Sequence, residues 1–488
     1  MRDVAIVGFI LLMIPVVIRR PWIGVMLWVW ISLMNPHHFG WGRAAEMRVA
    51  LIVAAATLIG LVVTRDRVRL PVNATTFLLV LLPLWMTVTL VFAFHFDDAL
   101  RRWEEVMKIF LFILVTASVL QSRRHVEMLL WVIVLSVGFF GVKGGLFTVA
   151  TGGAYRVWGP PGESYISDNN SISVALVMII PLAYYLAQHT QRRIVRYAMY
   201  ALIALSGIAV LGSHSRGAFL AVSVMSLYLW TKSRHKLLLG VLVLALLPVA
   251  MLAMPDNWKE RMGTIRTYEQ DSSAMGRINS WQTAFNIAND RPLVGGGFEL
   301  YSRETFARYA PDREAVHSAH SIYFQLLGEH GYVGLLLFLA LGITGWMNAR
   351  RIVRTARDQP ELEWASDLAR AIQVSLVGYA VGGAFVNIGY WDLPYYEIVI
   401  LMTVWSLIGH PNAPAAARAV AAEATPSVRN PRPEPAFGPA SNRASPAEGA
   451  CARTGSGARD SVAIDRWRAR DNNGRPDGQD RTARRTDV

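Results

Sequence analysis

Cysteine is almost absent: the sole thiol, Cys451, lies in the polar C-terminal stretch. One thiol closes no internal disulfide, so any extracytoplasmic loop must be held by packing and hydrogen bonds, and cysteine-based metal sites are excluded. Charge is scarce too, at 17% of 488 residues against 53% hydrophobic, with a mean hydropathy of +0.32. The sequence shows no Gly-rich phosphate loop in a soluble βαβ setting, no outward-facing Asp-x-Asp pair and no convincing His/carboxylate constellation, so neither a resident metal nor another cofactor is expected. It also lacks an internal repeat or a pair of matching halves, which weakens the case for a transporter. No early segment has the short apolar core and small-residue cleavage site of a removable signal peptide, so the first helix is expected to stay as an anchor.

What is present is a series of apolar runs of roughly 17 to 25 residues separated by short basic clusters, the pattern of a polytopic membrane protein. The expected fold class is all-α, with about twelve or thirteen transmembrane helices running from 3–18 to 395–410 and including 104–120, 236–254 and 321–348. Basic connections such as Arg19-Arg20, Arg123-Arg124, Arg192-Arg193 and Arg350-Arg351 all fall on one side. The positive-inside rule makes that side cytoplasmic. The opposite connections, 35–43, 95–103, 151–169, 212–215, 255–320 and 389–394, then face outward. The net charge of +13 is spread over these loops instead of forming one basic face, so it reads as a topology signal and no nucleic-acid partner is expected. Membrane lipids are the expected surroundings.

Three regions follow: an N-terminal transmembrane region 1–150, a membrane domain 151–410 that includes the long loop 255–320, and a tail 411–488. The tail is Ala/Pro/Arg/Asp-rich and cannot bury enough apolar surface to offset chain entropy, so it is expected to be disordered and cytoplasmic. Within the long loop, Ile278, Trp281, Phe285 and Ala288 recur at helical intervals. Asp290-Arg291-Pro292 should stop that helix, Gly295-Gly296-Gly297 should turn the chain, and a second helical stretch is expected over 299–309.

Chemistry concentrates at the ends of this loop. Arg216 in Gly212-Ser-His-Ser-Arg-Gly217, Arg277 at the first loop helix and His320 at the loop's close form a basic set suited to an anionic substrate. Guanidinium groups grip phosphate oxygens bidentately, and an imidazole near neutral pKa accepts a proton from a hydroxyl. Each also has a plainer reading. Arg216 is equally a snorkelling helix-end cation, Arg277 a solvated charge, and His320 an interfacial or capping residue. His214, His317, Glu329 and His330 carry the same ambiguity.

The pattern His320-Ser321, nine residues, Gly331, two residues, Gly334 resembles the signature that closes the large periplasmic loop in the O-antigen ligase and polymerase superfamily. Ser213 to Gly217 is similar to that family's arginine motif, Arg277 with Trp281, Pro292 and Gly295-Gly-Gly297 to its loop entry, and Asp168-Asn169-Asn170 to its Asp-x-Asn element. Arg19-Arg20-Pro21, Trp28-Val-Trp30 and Met34 to Gly42 resemble the exosortase-associated O-glycosylation ligases.

The resemblance implies a GT-C-like architecture in a bacterial inner membrane, with the active site facing the periplasm. It implies a metal-independent, inverting glycosyltransferase that moves a glycan from an undecaprenyl-diphosphate carrier to an acceptor hydroxyl on protein, lipid or glycan. His320, Arg216 and Arg277 would be catalytic, and Asn170, Ser321, Trp281 and His317 would bind substrate. A polysaccharide polymerase of the same superfamily is the nearest alternative, and a lipid-linked oligosaccharide transporter is an alternative of another class.

Overall fold

The computed structural model describes residues 2–39, 47–64, 69–232, 255–263, 269 and 271–409. The expected span 236–254 and the tail 411–488 lie outside the described residues. All elements among the described residues are helical. The N-terminal set is α1 (Arg2–Arg19), α2 (Pro21–Met34), α3 (Val49–Val63), α4 (Ala74–Leu90), α5 (Phe96–Val119) and α6 (Arg123–Ala150). Then follow α7 (Asn169–His189), α8 (Arg193–Gly212) and α9 (Arg216–Lys232). The loop region holds α10 (Asp256–Gly263), α11 (Ser272–Asp290) and α12 (Arg303–Tyr309), and the chain closes with α13 (Ile322–Thr355), α14 (Glu363–Gly382) and α15 (Leu393–Ile408).

Among the described residues, five helices are long and apolar enough to cross a membrane, namely α6, α7, α8, α13 and the segment Pro360–Phe385 that contains α14. Five shorter apolar helices, of 10–17 residues, add to them. The protein is a polytopic helical membrane protein. The start of α5 at Phe96 is earlier than the expected 104. Asp97 and Asp98 occupy its first turn, where carboxylates complement the helix dipole, so the helix extends into the polar loop.

Helix α7 is the most enclosed of the five, with 83% of its apolar window buried. It packs on α6, α8, α9 and α14, and this central position matters because its first residues enter the site. Its N-cap, Asp168, accepts hydrogen bonds from Asn170 N at 2.8 Å and Ser171 N at 3.1 Å, satisfying two backbone donors that the helix start would leave unpaired. Beside it, Asn169 donates to the carbonyl of Ser213 at 2.8 Å.

The connections that the charge pattern assigns to one side meet at one end of the bundle. Val157 N donates to Gly212 O at 3.1 Å and Phe94 N to Gly296 O at 2.8 Å. His214 Nε2 meets Gly153 O at 2.9 Å, and Asn387 Nδ2 donates to Ser318 Oγ at 2.7 Å. The loop helices sit over this end, with α11 packed on α13.

The 34-residue α13 is expected from sequence as one span, but it is two helical segments. Gly331 breaks it at φ 67, ψ −170, and the broken turn frees carbonyls that the Gly-rich turn collects. Gly296 N donates to Gly328 O at 2.8 Å and Gly297 N to Glu329 O at 2.9 Å, while Tyr332 N donates to Pro292 O at 2.8 Å. A Cβ on Gly331 would lie 2.5 Å from Leu293 O. The two glycine motifs, distant in sequence, are therefore halves of one joint.

Candidate functional site

His320 occupies the last position of the loop before α13, with a positive φ of 44. A non-glycine residue in this conformation costs on the order of 1–3 kcal/mol and persists only where its surroundings fix it. Here the three preceding residues are each tied down. Ser280 Oγ donates to His317 O at 2.9 Å, Asn387 holds the Ser318 hydroxyl, and Trp281 Nε1 donates to Ala319 O at 2.7 Å. The Trp281 indole stacks on Phe324, with 5.1 Å between centroids and 8° between planes. Trp281, read from sequence as a substrate-binding residue, therefore pins the backbone that aims His320.

Helix α11 supplies most of this support because its apolar and small residues recur on one face. Gly276, Asn279, Ser280, Thr283, Ala284, Ile287 and Ala288 are buried. Asn279 Nδ2 donates to Asp312 O at 2.8 Å and Ala315 O at 3.1 Å, draping the chain that leads to His320 along the helix. The His317 ring rests on Gly276, where a Cβ would approach Cδ2 to 2.5 Å.

His320 is half-buried, and Arg277, Asp168 and His317 act on its ring. Burial lowers its pKa below the ordinary 6.5, the Arg277 charge lowers it further, and His317 adds to this while Asp168 opposes it. The imidazole is held in its neutral, proton-accepting form beside a guanidinium. Ser321 is buried at 1% exposure and serves as the N-cap of α13 without a side-chain cap bond. Asn170 lies in the first turn of α7, half-buried, with its backbone bound to Asp168.

Arg216 opens α9 and forms a two-pronged ion pair with Asp271, Nη1 to Oδ2 at 2.6 Å and Nη2 to Oδ1 at 3.3 Å. Both side chains are 17% exposed. Asp271 is also the N-cap of α11, accepting from Ala274 N at 2.9 Å. Arg216 thus clamps the helix that carries Arg277 and Trp281, a role that residue type alone does not reveal. Asp271 escaped the sequence reading. Its signal was local, a carboxylate ahead of Ser272-Ser273 at the start of an apolar periodicity, but its partner lies 55 residues upstream.

Two histidines resolve to structural roles. His330 is fully buried, with Nδ1 2.7 Å from Thr89 Oγ1 and Nε2 2.8 Å from Tyr390 Oη. His214 is buried against the Gly153 carbonyl. Glu329 is buried as well and accepts from the Tyr390 hydroxyl.

A helical membrane protein with a neutral histidine beside the Arg277 guanidinium, at a loop-covered end of the bundle, has a proton acceptor suited to group transfer. Residues 201–339 match the O-antigen ligase family. Arg216, Arg277 and His320 all fall inside this O-antigen ligase domain, which supports a role in glycosyl transfer at the membrane. Residues 1–191 match a family of unknown function, DUF5935. No curated protein matches the chain.

Proposed function

We propose that the protein is an inverting, metal-independent glycosyltransferase of the bacterial inner membrane, acting on the periplasmic face. It transfers a glycan from an undecaprenyl-diphosphate carrier to an acceptor hydroxyl, in O-glycosylation or exopolysaccharide assembly of the exosortase-associated type. In this reading the N-terminal region 1–150, the membrane domain 151–410 and the tail 411–488 are functionally distinct, and the tail is cytoplasmic.

The observation that carries the reading is His320, kept neutral by burial and by Arg277, at the end of a loop anchored over the membrane domain. His320 accepts the proton of the acceptor O–H as that oxygen attacks the anomeric carbon. The bond from that carbon to the phosphate oxygen breaks, and the lipid diphosphate leaves with the electron pair. The proton on His320 then passes to solvent. Negative charge grows on the diphosphate oxygens in the transition state, so cations already in place lower the barrier without reorganising. Arg277 is placed beside the base, and Arg216 acts from the Asp271 clamp. In this reading Asn170, Ser321 and His317 bind substrate.

The test is transfer in vitro from a purified undecaprenyl-diphosphate glycan to candidate acceptors. His320→Ala should abolish product while the protein inserts and purifies like wild type. Arg216→Lys should lower turnover, because a point charge replaces the fork that holds Asp271 and the helix bearing Arg277. An unchanged rate in His320→Ala would remove the base assignment. A product lengthened on another lipid-linked unit would instead identify a polymerase.

A further inference from the structure

A second group of polar side chains is buried away from His320, where α2 meets the loop before α15. Ser32 Oγ donates to Asp392 Oδ2 at 2.6 Å, yet Asp392 Oδ1 is buried without a hydrogen-bond partner. Asp392 stands at the N-cap of α15 without a side-chain cap bond, its carboxylate facing the backbone N–H groups of Asp392 and Leu393. Nearby, Asn35 Nδ2, His37 Nδ1 and Tyr165 Oη are likewise buried and unpartnered. The Trp28 indole faces the Tyr396 hydroxyl, and neither group makes a well-formed bond. Asn35 is 7% exposed and Asp392 1%.

These groups share one neighbourhood. Asn35 lies one helical turn beyond Ser32, and its own N–H bonds back to Ile31 O at 3.0 Å. Tyr165 lies within the electrostatic reach of Asp392 and Arg102, and the Arg102 guanidinium sits 4.7 Å over its ring. The His38 ring packs on Gly162, where a Cβ would lie 2.8 Å from the imidazole, which ties the 36–39 turn to the connection that carries Tyr165. Buried polar groups in native proteins are almost always paired, because each unpaired one costs about 1–3 kcal/mol. Orphans drawn from three chain segments, 28–37, the 151–169 connection and 392–396, gathered in one neighbourhood, mark a site that a polar ligand completes.

The site is close to the reaction centre. The loop Val386 to Asp392 touches both, since Asn387 holds Ser318 two residues before His320 and Asp392 holds Ser32. Five residues of chain span at most about 18 Å. A glycan whose anomeric end lies at His320 therefore reaches these groups with its next few sugars. The chemistry also discriminates. An acceptor carboxylate oxygen, an amide donor, an imidazole nitrogen and a phenol suit a molecule bearing many hydroxyls, each both donor and acceptor.

We infer that Asn35, Tyr165 and Asp392 form a saccharide subsite, built jointly by the N-terminal region and the 386–392 loop, that holds hydroxylated sugar residues of the glycan undergoing transfer. This assignment rests on the glycosyl-transfer reading for its ligand class. The test uses the full chain in lipid nanodiscs and isothermal titration with one probe, the reducing oligosaccharides released by mild acid from the host's polyprenyl-diphosphate glycans. These carry no diphosphate and no lipid. Wild type should bind them, and Asn35→Gly and Asp392→Asn should each weaken binding about tenfold. Asn35→Gly keeps the left-handed cap that Asn35 adopts at φ 49 while removing the amide, and Asp392→Asn keeps side-chain shape. Equal thermal midpoints establish that both variants are folded. Weakened binding in the folded variants supports the subsite even if wild type forms no glycosidic bond, so the two readings fail separately. Undiminished binding in both, or no binding by wild type, overturns it and leaves the orphan groups as sites of buried water.

Discussion

At the scale of single residues, the state of His320 is set by what surrounds it. Its pKa is lowered, first by burial and then by the Arg277 charge, so the ring stays neutral as pH falls through 6.5 and gains its proton only below that. Turnover that depends on the free base should therefore decline on the acid side only below pH 6.5. Arg277→Ala removes the second-largest cause, so the acid limb should move upward toward the ordinary histidine value. The measurement is initial rate against pH, together with the pH dependence of His320 modification by diethyl pyrocarbonate, which reports the same titration where turnover is too low to follow. An unshifted titration in Arg277→Ala would separate the two side chains. The linkage sign is the converse for stability. Between the lowered pKa and 6.5 the unfolded chain binds a proton that the folded chain does not, so stability should fall as pH drops through that window.

At the scale of elements, the joint between the Gly-rich turn and α13 ties the loop to the membrane helices. Gly331→Ala places a methyl group 2.5 Å from Leu293 O in a backbone region that L-residues avoid. The joint must open, at a cost of about 1–3 kcal/mol. Because His320 lies on the same segment, the substitution should lower both the thermal midpoint and transfer, whereas Gly342→Ala, with open space around its Cα, should lower neither. Thermal unfolding of the two purified variants checks this. The glycines of the turn and of the helix were both visible in sequence. That they complete each other was not, because 34 residues separate Gly297 from Gly331 and a backbone hydrogen bond leaves no residue-type signature.

At the scale of the whole molecule, the orientation assigned from charge can be read directly. The sole cysteine is Cys451, so Cys451→Ser gives a thiol-free background. Arg313 and Arg357 are both exposed and lie on opposite sides of α13. Arg313→Cys should react with a membrane-impermeant maleimide added to spheroplasts, and Arg357→Cys should react only after lysis. The reverse pattern would invert the topology and put the His320 site in the cytoplasm. The helix set that this orientation concerns was legible from apolar runs. Lipid-facing helices need long uninterrupted apolar stretches, and short basic loops mark their ends whatever the tertiary packing.

The sequence by itself determined that the chain is an all-helical membrane protein. It also singled out the loop that holds α11 and α12, and the residues Arg216, Arg277 and His320 as the basic groups worth following. Those properties depend on composition and local periodicity, which are written residue by residue. Only the tertiary structure decided that Arg216 spends its fork on Asp271, that Trp281 fixes a backbone and that His330 is core. It alone brought Ser32 of the first helices to Asp392 near the last. Each of these is a pairing of groups between 38 and 360 residues apart, and such pairings follow from how helices pack, which no local stretch of sequence encodes.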